Sequence, residues 1–178
     1  MMKSMIYTLV CFLTLSTLLS AGGCGPSDGG YTTASLYPTQ VESICIDMTV
    51  RGDAVYRRNL ETRLTEAIVK QVQTETSYVI RDRERADSLL RTEITEVRQN
   101  VMAFNPDTGN PIDKQMTFVM NIIWLDLDTG EELVNVQEFT VTDIYIPPIP
   151  LNEDFFGGSQ AVIEKASRRI VEQMRTNW

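Results

Sequence analysis

From Gln115 to Ile146 apolar residues fall at alternate positions. Met116, Phe118, Met120, Ile122 and Trp124 occupy every second place, so a strand here puts all five side chains on one face. Asp128-Thr129-Gly130 follows, and glycine's access to φ > 0 suits a turn between two strands. A return run of similar length completes what reads as a long β-hairpin. Its other face is also partly apolar. It carries Val119, Ile123 and Leu125 on the first strand and, according to register, either Phe139 with Val141 or Val134 with Val136 on the second. Such a hairpin asks for helices on one face and something further on the other.

The rest of the pattern supplies helices and more strands. Ser43 to Val50 alternates with Ile44, Ile46, Met48 and Val50 on one side, which predicts a first strand. Asp53 is placed to cap a helix from about Val55 to Thr74, in which Leu60, Leu64, Ala67, Ile68, Gln71 and Val72 recur at spacings of three and four. Tyr78 to Ile80 reads as a short strand and Leu89 to Phe104 as a long one. In the long strand the apolar phase slips between Leu90/Ile94 and Val97/Val101, which predicts a bulge or strong bend. Asn105 to Pro111 is dense in turn residues. Beyond the hairpin, Pro147, Pro148 and Pro150 end the strand. The loop that follows holds Ile149, Leu151, Phe155 and Phe156, more apolar than a solvated loop needs, so it either folds back on the core or meets a partner. From Ser159, a good N-cap, a last helix runs to about Arg175 with Val162, Ile163, Ala166, Ile170 and Met174 as its buried stripe.

A strand, a helix and then a run of long strands closed by a helix predict an α+β domain. At 178 residues the chain is long enough for one domain with a real core. Its 43% hydrophobic and 22% charged content is that of a globular protein. A net charge of -8 argues against nucleic acid as the main partner. Histidine is absent, which excludes Ser-His-Asp and Cys-His catalysis and histidine-bound zinc or iron. No cofactor fingerprint or metal-spaced cysteine set is found. Asp107-Thr108-Gly109 and Asp128-Thr129-Gly130 have the triplet of pepsin-like proteases, but each sits amid polar turn residues and reads as a turn. Arg81, Arg83 and Arg85 alternate with acids and read as a solvated turn in preference to an anion site.

The N-terminus has a different logic. Lys3 precedes an apolar run from Ile6 to Leu19, the size of a secretory signal core and short for a membrane span. Ala21-Gly22-Gly23-Cys24 then resembles a bacterial lipobox, with Ala21 where leucine is usual. That resemblance implies cleavage before Cys24 and acylation of its thiol; an ordinary cleaved signal is the other reading. Each buried CH₂ of an acyl chain contributes roughly 0.8 kcal/mol, so several chains would hold the protein on a membrane without a spanning helix. Removing Lys3, the one charged residue of 1–23, moves the net charge to -9. Residues 24–30 then form a lipidated tether with a reach of about 20 Å, and 31–178 a single domain. Cys45 would have no intramolecular partner and reads as a buried or half-buried thiol within a strand.

Several stretches together resemble the LptE family of lipopolysaccharide-assembly lipoproteins. They are Cys24 with Gly30-Tyr31 soon after, the strand Ser43 to Val50, the helix containing Leu60-Glu61-Thr62-Arg63-Leu64-Thr65-Glu66-Ala67, the strand opening Ala86-Asp87-Ser88-Leu89-Leu90, and the C-terminal helix Ala166 to Met174 ending near Trp178. The resemblance implies a mixed four-stranded sheet with two amphipathic helices packed on one face. It also implies a non-enzymatic outer-membrane lipoprotein that plugs the lumen of an LptD-type β-barrel, facing the periplasm or sitting inside the lumen, and that touches lipopolysaccharide. On charge alone, Arg57, Arg58, Arg81, Arg83 and Arg85 are the candidate lipopolysaccharide contacts. Val119, Ile123, Leu125, Ile149, Leu151, Phe155 and Phe156 are the candidate partner surface. A free-standing periplasmic binding or pilotin lipoprotein is the alternative reading.

Overall fold

A computed structural model of the protein describes residues 35–147 and 154–175. The described elements are β1 (Ser43–Ile46), β2 (Val50–Arg51), α1 (Leu60–Glu75), β3 (Val79–Ile80), β4 (Ser88–Phe104), β5 (Pro111–Asp126), β6 (Glu132–Tyr145) and α2 (Asp154–Gln173). The strands form one sheet in the order β3-β1-β4-β5-β6, with β2 also paired to β4. β1 lies parallel to β3 and β4, whereas β4, β5 and β6 form an antiparallel meander. The class is α+β as expected.

Six strands replace the expected four because the first strand breaks and β3 adds a short edge. The break follows from Thr49. Its amide donates to Thr65 Oγ1 at 2.9 Å and its hydroxyl meets that of Thr92 at 2.7 Å, so Thr49 turns inward and is 2% exposed. The alternation of Ile44, Ile46, Met48 and Val50 therefore does not describe one buried face. Ile44 is buried, while Met48 and Val50 point to solvent.

One helix face supplies most of the core. Leu60, Leu64, Ile68 and Val72 of α1 and Val162, Ile163, Ala166 and Ile170 of α2 pack on Leu90, Ile94, Met116, Phe118, Met120, Ile122 and Trp124 of the sheet. α1 starts later than the apolar pattern predicts. Asn59 precedes it at φ 67°, a left-handed conformation that asparagine tolerates and that helix propagation does not. Asp53 consequently does not cap it, and Asn59 makes no side-chain cap bond either.

Of the register shifts in the long strands, two decide which residues face the helices. In β4 the register shifts between Ile94 and Glu96, the slip expected from the sequence, and the Thr95 hydroxyl donates to Val119 O at 3.0 Å. In β6 the pairing moves from Met120–Phe139 to Ile122–Val136, with Glu138 at φ 53°. That extra residue answers the register question. Phe139 with Val141 and Val134 with Val136 all lie opposite core residues of β5, so both sets share the helix-covered face.

α2 begins at Asp154, five residues before the expected cap at Ser159. Gly157-Gly158 looks like a break in the sequence, yet Gly158 sits where an added Cβ would collide with the Tyr145 ring. Close approach of helix and strand, rather than a loop, explains that glycine. Phe155 and Phe156 thus belong to the first turns of a helix, which corrects their expected place in a loop.

Candidate functional site

The candidate residues divide into three regions. Phe155 and Phe156 are drawn back onto the chain by arginines. The Arg57 guanidinium lies 4.6 Å from the Phe155 ring centre, and that of Arg63 lies 4.2 Å from Phe156. Arg63 also donates to Ser159 Oγ at 2.8 Å and to Gln160 Oε1 at 2.7 Å. These contacts tie the start of α2 to the start of α1, so Arg57 has a structural use that its charge alone did not reveal. Phe155 is half-buried, whereas Phe156 remains 65% exposed. Arg58 is exposed beside Arg57. Ile149 and Leu151 lie outside the described residues, as does Cys24.

Arg81, Arg83 and Arg85 converge on a second region. With Asp82 they line a shallow cleft of about 490 Å³ whose remaining walls are Cys45, Ile46, Val69 and Ile80. The turn reading holds locally, since Arg85 N donates to Asp82 O at 2.9 Å and its guanidinium pairs with the Asp82 carboxylate at 2.9 Å. Arg83 stands 3.8 Å from Asp47, which also binds Arg91 at 3.2 Å. Acids within the cluster therefore offset much of its positive charge. The Cys45 thiol at the cleft is pushed up from its ordinary value by burial and then by Asp47, which keeps it protonated and unreactive.

On the sheet face away from the helices, Val119 is buried and Ile123 and Leu125 are half-buried. Ile123 opens onto a cleft of about 600 Å³ with Asp47, Met48, Val50, Arg91, Thr92, Glu93 and Asn121. This face is a mixed surface with narrow apolar ground between charges.

A fourth region, at one end of the long strands, was missed by sequence reasoning. Val101, Met102, Phe104, Ile112, Ile144 and Ile146 are 41–76% exposed, and all sit toward the Asn105–Asn110 end of β4, β5 and β6. A strand of 17 residues spans about 56 Å, whereas helices of 16 and 20 residues span about 24 and 30 Å. The strands outrun their cover. Residues 98–102 are exposed on both faces. Adjacent apolar residues Val101-Met102, breaking the alternation, were the available signal. The turn that closes this end repeats the one at Asp128. Asn105 Oδ1 accepts the Asp107 and Thr108 amides, as Asp126 Oδ1 accepts those of Asp128 and Thr129, with Gly109 and Gly130 at φ 70° and 74°. Both Asp-Thr-Gly triplets are turns. Among the described residues no group of three or more Cys, Asp or Glu could hold a metal ion.

A family model described as LptE, lipopolysaccharide-assembly, matches residues 44–177. The chain belongs to the LptE family. This match spans every described strand except the first residue of β1, and both helices. No curated protein sequence matches the chain. Among solved structures, an uncharacterized lipoprotein B from Nitrosomonas europaea is similar with a TM-score of 0.53 at 14% identity, covering 83% of this chain and 90% of that one. A hypothetical protein from Chlamydia trachomatis gives 0.50 at 6%, covering 77% and 99%. A protein from Xanthomonas campestris gives 0.51 at 9%, covering 75% and 85%. At these identities the structures share the fold of this LptE member. LptE is a family of non-enzymatic assembly lipoproteins, and the stretch Ala86-Asp87-Ser88-Leu89-Leu90 has a clear structural use in this chain. Asp87 Oδ2 accepts from Ser43 N at 2.8 Å, Ser43 Oγ at 2.9 Å and Glu42 N at 3.2 Å, which joins the start of β1 to the start of β4.

Proposed function

We propose that this LptE-family protein is a lipid-anchored outer-membrane subunit that plugs and helps assemble the β-barrel of a lipopolysaccharide-export translocon of LptD type. The observation that carries the reading is the family match over residues 44–177. The overhanging end of β4, β5 and β6 supports it, because an apolar surface exposed on both faces of a sheet is costly in water and is stabilised when a protein partner covers it. Cys24 would carry the acyl anchor, and among the described residues no helix is long and apolar enough to cross a membrane. Contact with lipopolysaccharide would fall to Arg81, Arg83 and Arg85 at their cleft, where guanidinium groups meet phosphate beside an apolar floor. Arg57, engaged with Phe155, and Arg58 would add charge near the start of α1.

The test is recovery of the full chain from detergent-solubilised outer membrane through an affinity tag. A large β-barrel protein co-purifying in stoichiometric amount is the expected result. A free monomer with no barrel partner would instead favour a free-standing periplasmic binding or pilotin lipoprotein.

A further inference from the structure

The first turn of α2 is built unlike the rest of the helix. Gly157 and Gly158 stand side by side in it, and among helix formers glycine is poorer than all but proline. Contact with the Tyr145 ring accounts for Gly158, but nothing lies within 4 Å of the place a Gly157 Cβ would take. Packing therefore does not call for glycine at 157. The turn is held largely from outside, by Arg57 over the Phe155 ring at 4.6 Å and Arg63 over the Phe156 ring at 4.2 Å, contacts that are weak at exposed sites. Phe156 is exposed, whereas Phe155 packs against the core. Directly after the glycines comes Ser159, a preferred N-cap residue. Its hydroxyl donates to Phe156 O at 3.0 Å and accepts from Arg63 at 2.8 Å. From Gln160 onward the helix retains its buried stripe of Val162, Ile163, Ala166, Ile170 and Val171.

We infer that residues 154–158 are a hinged latch with two states, held shut by Arg57 and Arg63. In the closed state the helix starts at Asp154 and Phe155 rests on the core. In the open state the chain leaves the helix at Gly157-Gly158, and the Ser159 hydroxyl turns from Phe156 O to the Val162 amide as the cap of a shortened helix. Arg63 keeps its bond to Gln160 Oε1, 2.7 Å in the closed state. The two rings part from the two guanidiniums, so opening presents a pair of aromatic rings and a pair of cations that the closed turn holds against each other. It also uncovers the side of Tyr145 that Gly158 now touches. Burial of Phe155 makes the closed state the major one. The inference concerns this chain alone and is independent of the barrel-plug reading.

Relaxation-dispersion NMR of the full chain in detergent reads the minor state directly. Residues 155–161 are expected to share one exchange process on the microsecond-to-millisecond scale, with minor-state shifts that are non-helical up to Gly158 and helical from Gln160. Simple fraying is faster and graded along the chain, and it gives flat profiles. Gly157→Ala is expected to lower the open population about two- to fivefold, the ratio that follows from replacing glycine by alanine within a helix. The double variant Arg57→Met and Arg63→Met keeps the apolar stems, removes the cations, and is expected to raise that population by at least as much. Arg168→Met, on the same helix but bonded to Glu164 O, is expected to leave it unchanged. Flat profiles in the natural chain overturn the inference. So does an open population that Gly157→Ala does not lower or that the arginine variant does not raise, or a minor state non-helical beyond Ser159. If the double variant does not fold, Arg57→Met alone is judged by the same criteria.

Discussion

Asp87 shows how much a single carboxylate can organise. Its bonds to Ser43 and Glu42 cross 44 and 45 residues of sequence, and Ser43 is 2% exposed. Asp87→Ala would leave a buried hydroxyl and amide short of a partner, a loss of about 1–3 kcal/mol that urea denaturation would read. The Ser43 hydroxyl first, then the Ser43 and Glu42 amides and Arg81, hold Asp87 below its ordinary value of 3.8. The Thr129 amide first, then the Asp128 amide and the Thr129 hydroxyl, do the same for Asp126. A carboxylate depressed by folding stabilises the native state above its unfolded value and loses that contribution as pH falls through the lower folded value. Stability is therefore expected to drop as pH is taken below about 3.8, and Asp87→Asn is expected to flatten that fall. The adjacent glycines of α2 make a contrasting pair. Gly158→Ala collides with the Tyr145 ring and should cost about 1–3 kcal/mol, whereas Gly157 has open space and Gly157→Ala should stabilise by roughly 0.5–1 kcal/mol in thermal unfolding. Sequence marked the Asp87 stretch through its family likeness, but the partners that give Asp87 its use are distant and were not legible.

At the scale of elements, legibility followed periodicity. Strand β5 and the stripes of both helices could be read because strict two-residue or three-and-four-residue spacing survives along their whole length. The β4 slip could be read because apolar residues resume in the opposite phase on the far side of Thr95. The β6 bulge could not, since Val134/Val136 and Phe139/Val141 are each consistent alternations and one backbone angle at Glu138 joins them. Glu138→Val is accordingly expected to cost about 1–2 kcal/mol, because a β-branched residue resists φ 53°, while Glu138→Gly should stay near neutral. Chemical denaturation separates the two. Helix starts were misplaced for local reasons as well. Asn59 in a left-handed turn delays α1, and glycine tolerated for closeness to Tyr145 disguises the beginning of α2.

Across the whole molecule, a further exposed apolar surface stands beside the expected one. On the second face of the hairpin Val119 is buried and Ile123 and Leu125 are half-buried, while Arg57 and Arg63 lie over the rings of Phe155 and the still exposed Phe156. Length was the missed signal, because strands far longer than the helices must project uncovered. The projecting end, from Val101 and Met102 to Phe104 and Ile112, is the surface proposed to meet the barrel. Photo-crosslinking tests it directly, with p-benzoylphenylalanine introduced at Met102, Phe104 or Ile112 of the full chain and, as a control, at Lys70, which lines the groove between α1 and α2. An adduct with a large outer-membrane β-barrel protein is expected from the three strand-end positions. Absence of that adduct at all three positions, in cells where the protein is folded and abundant, would contradict it.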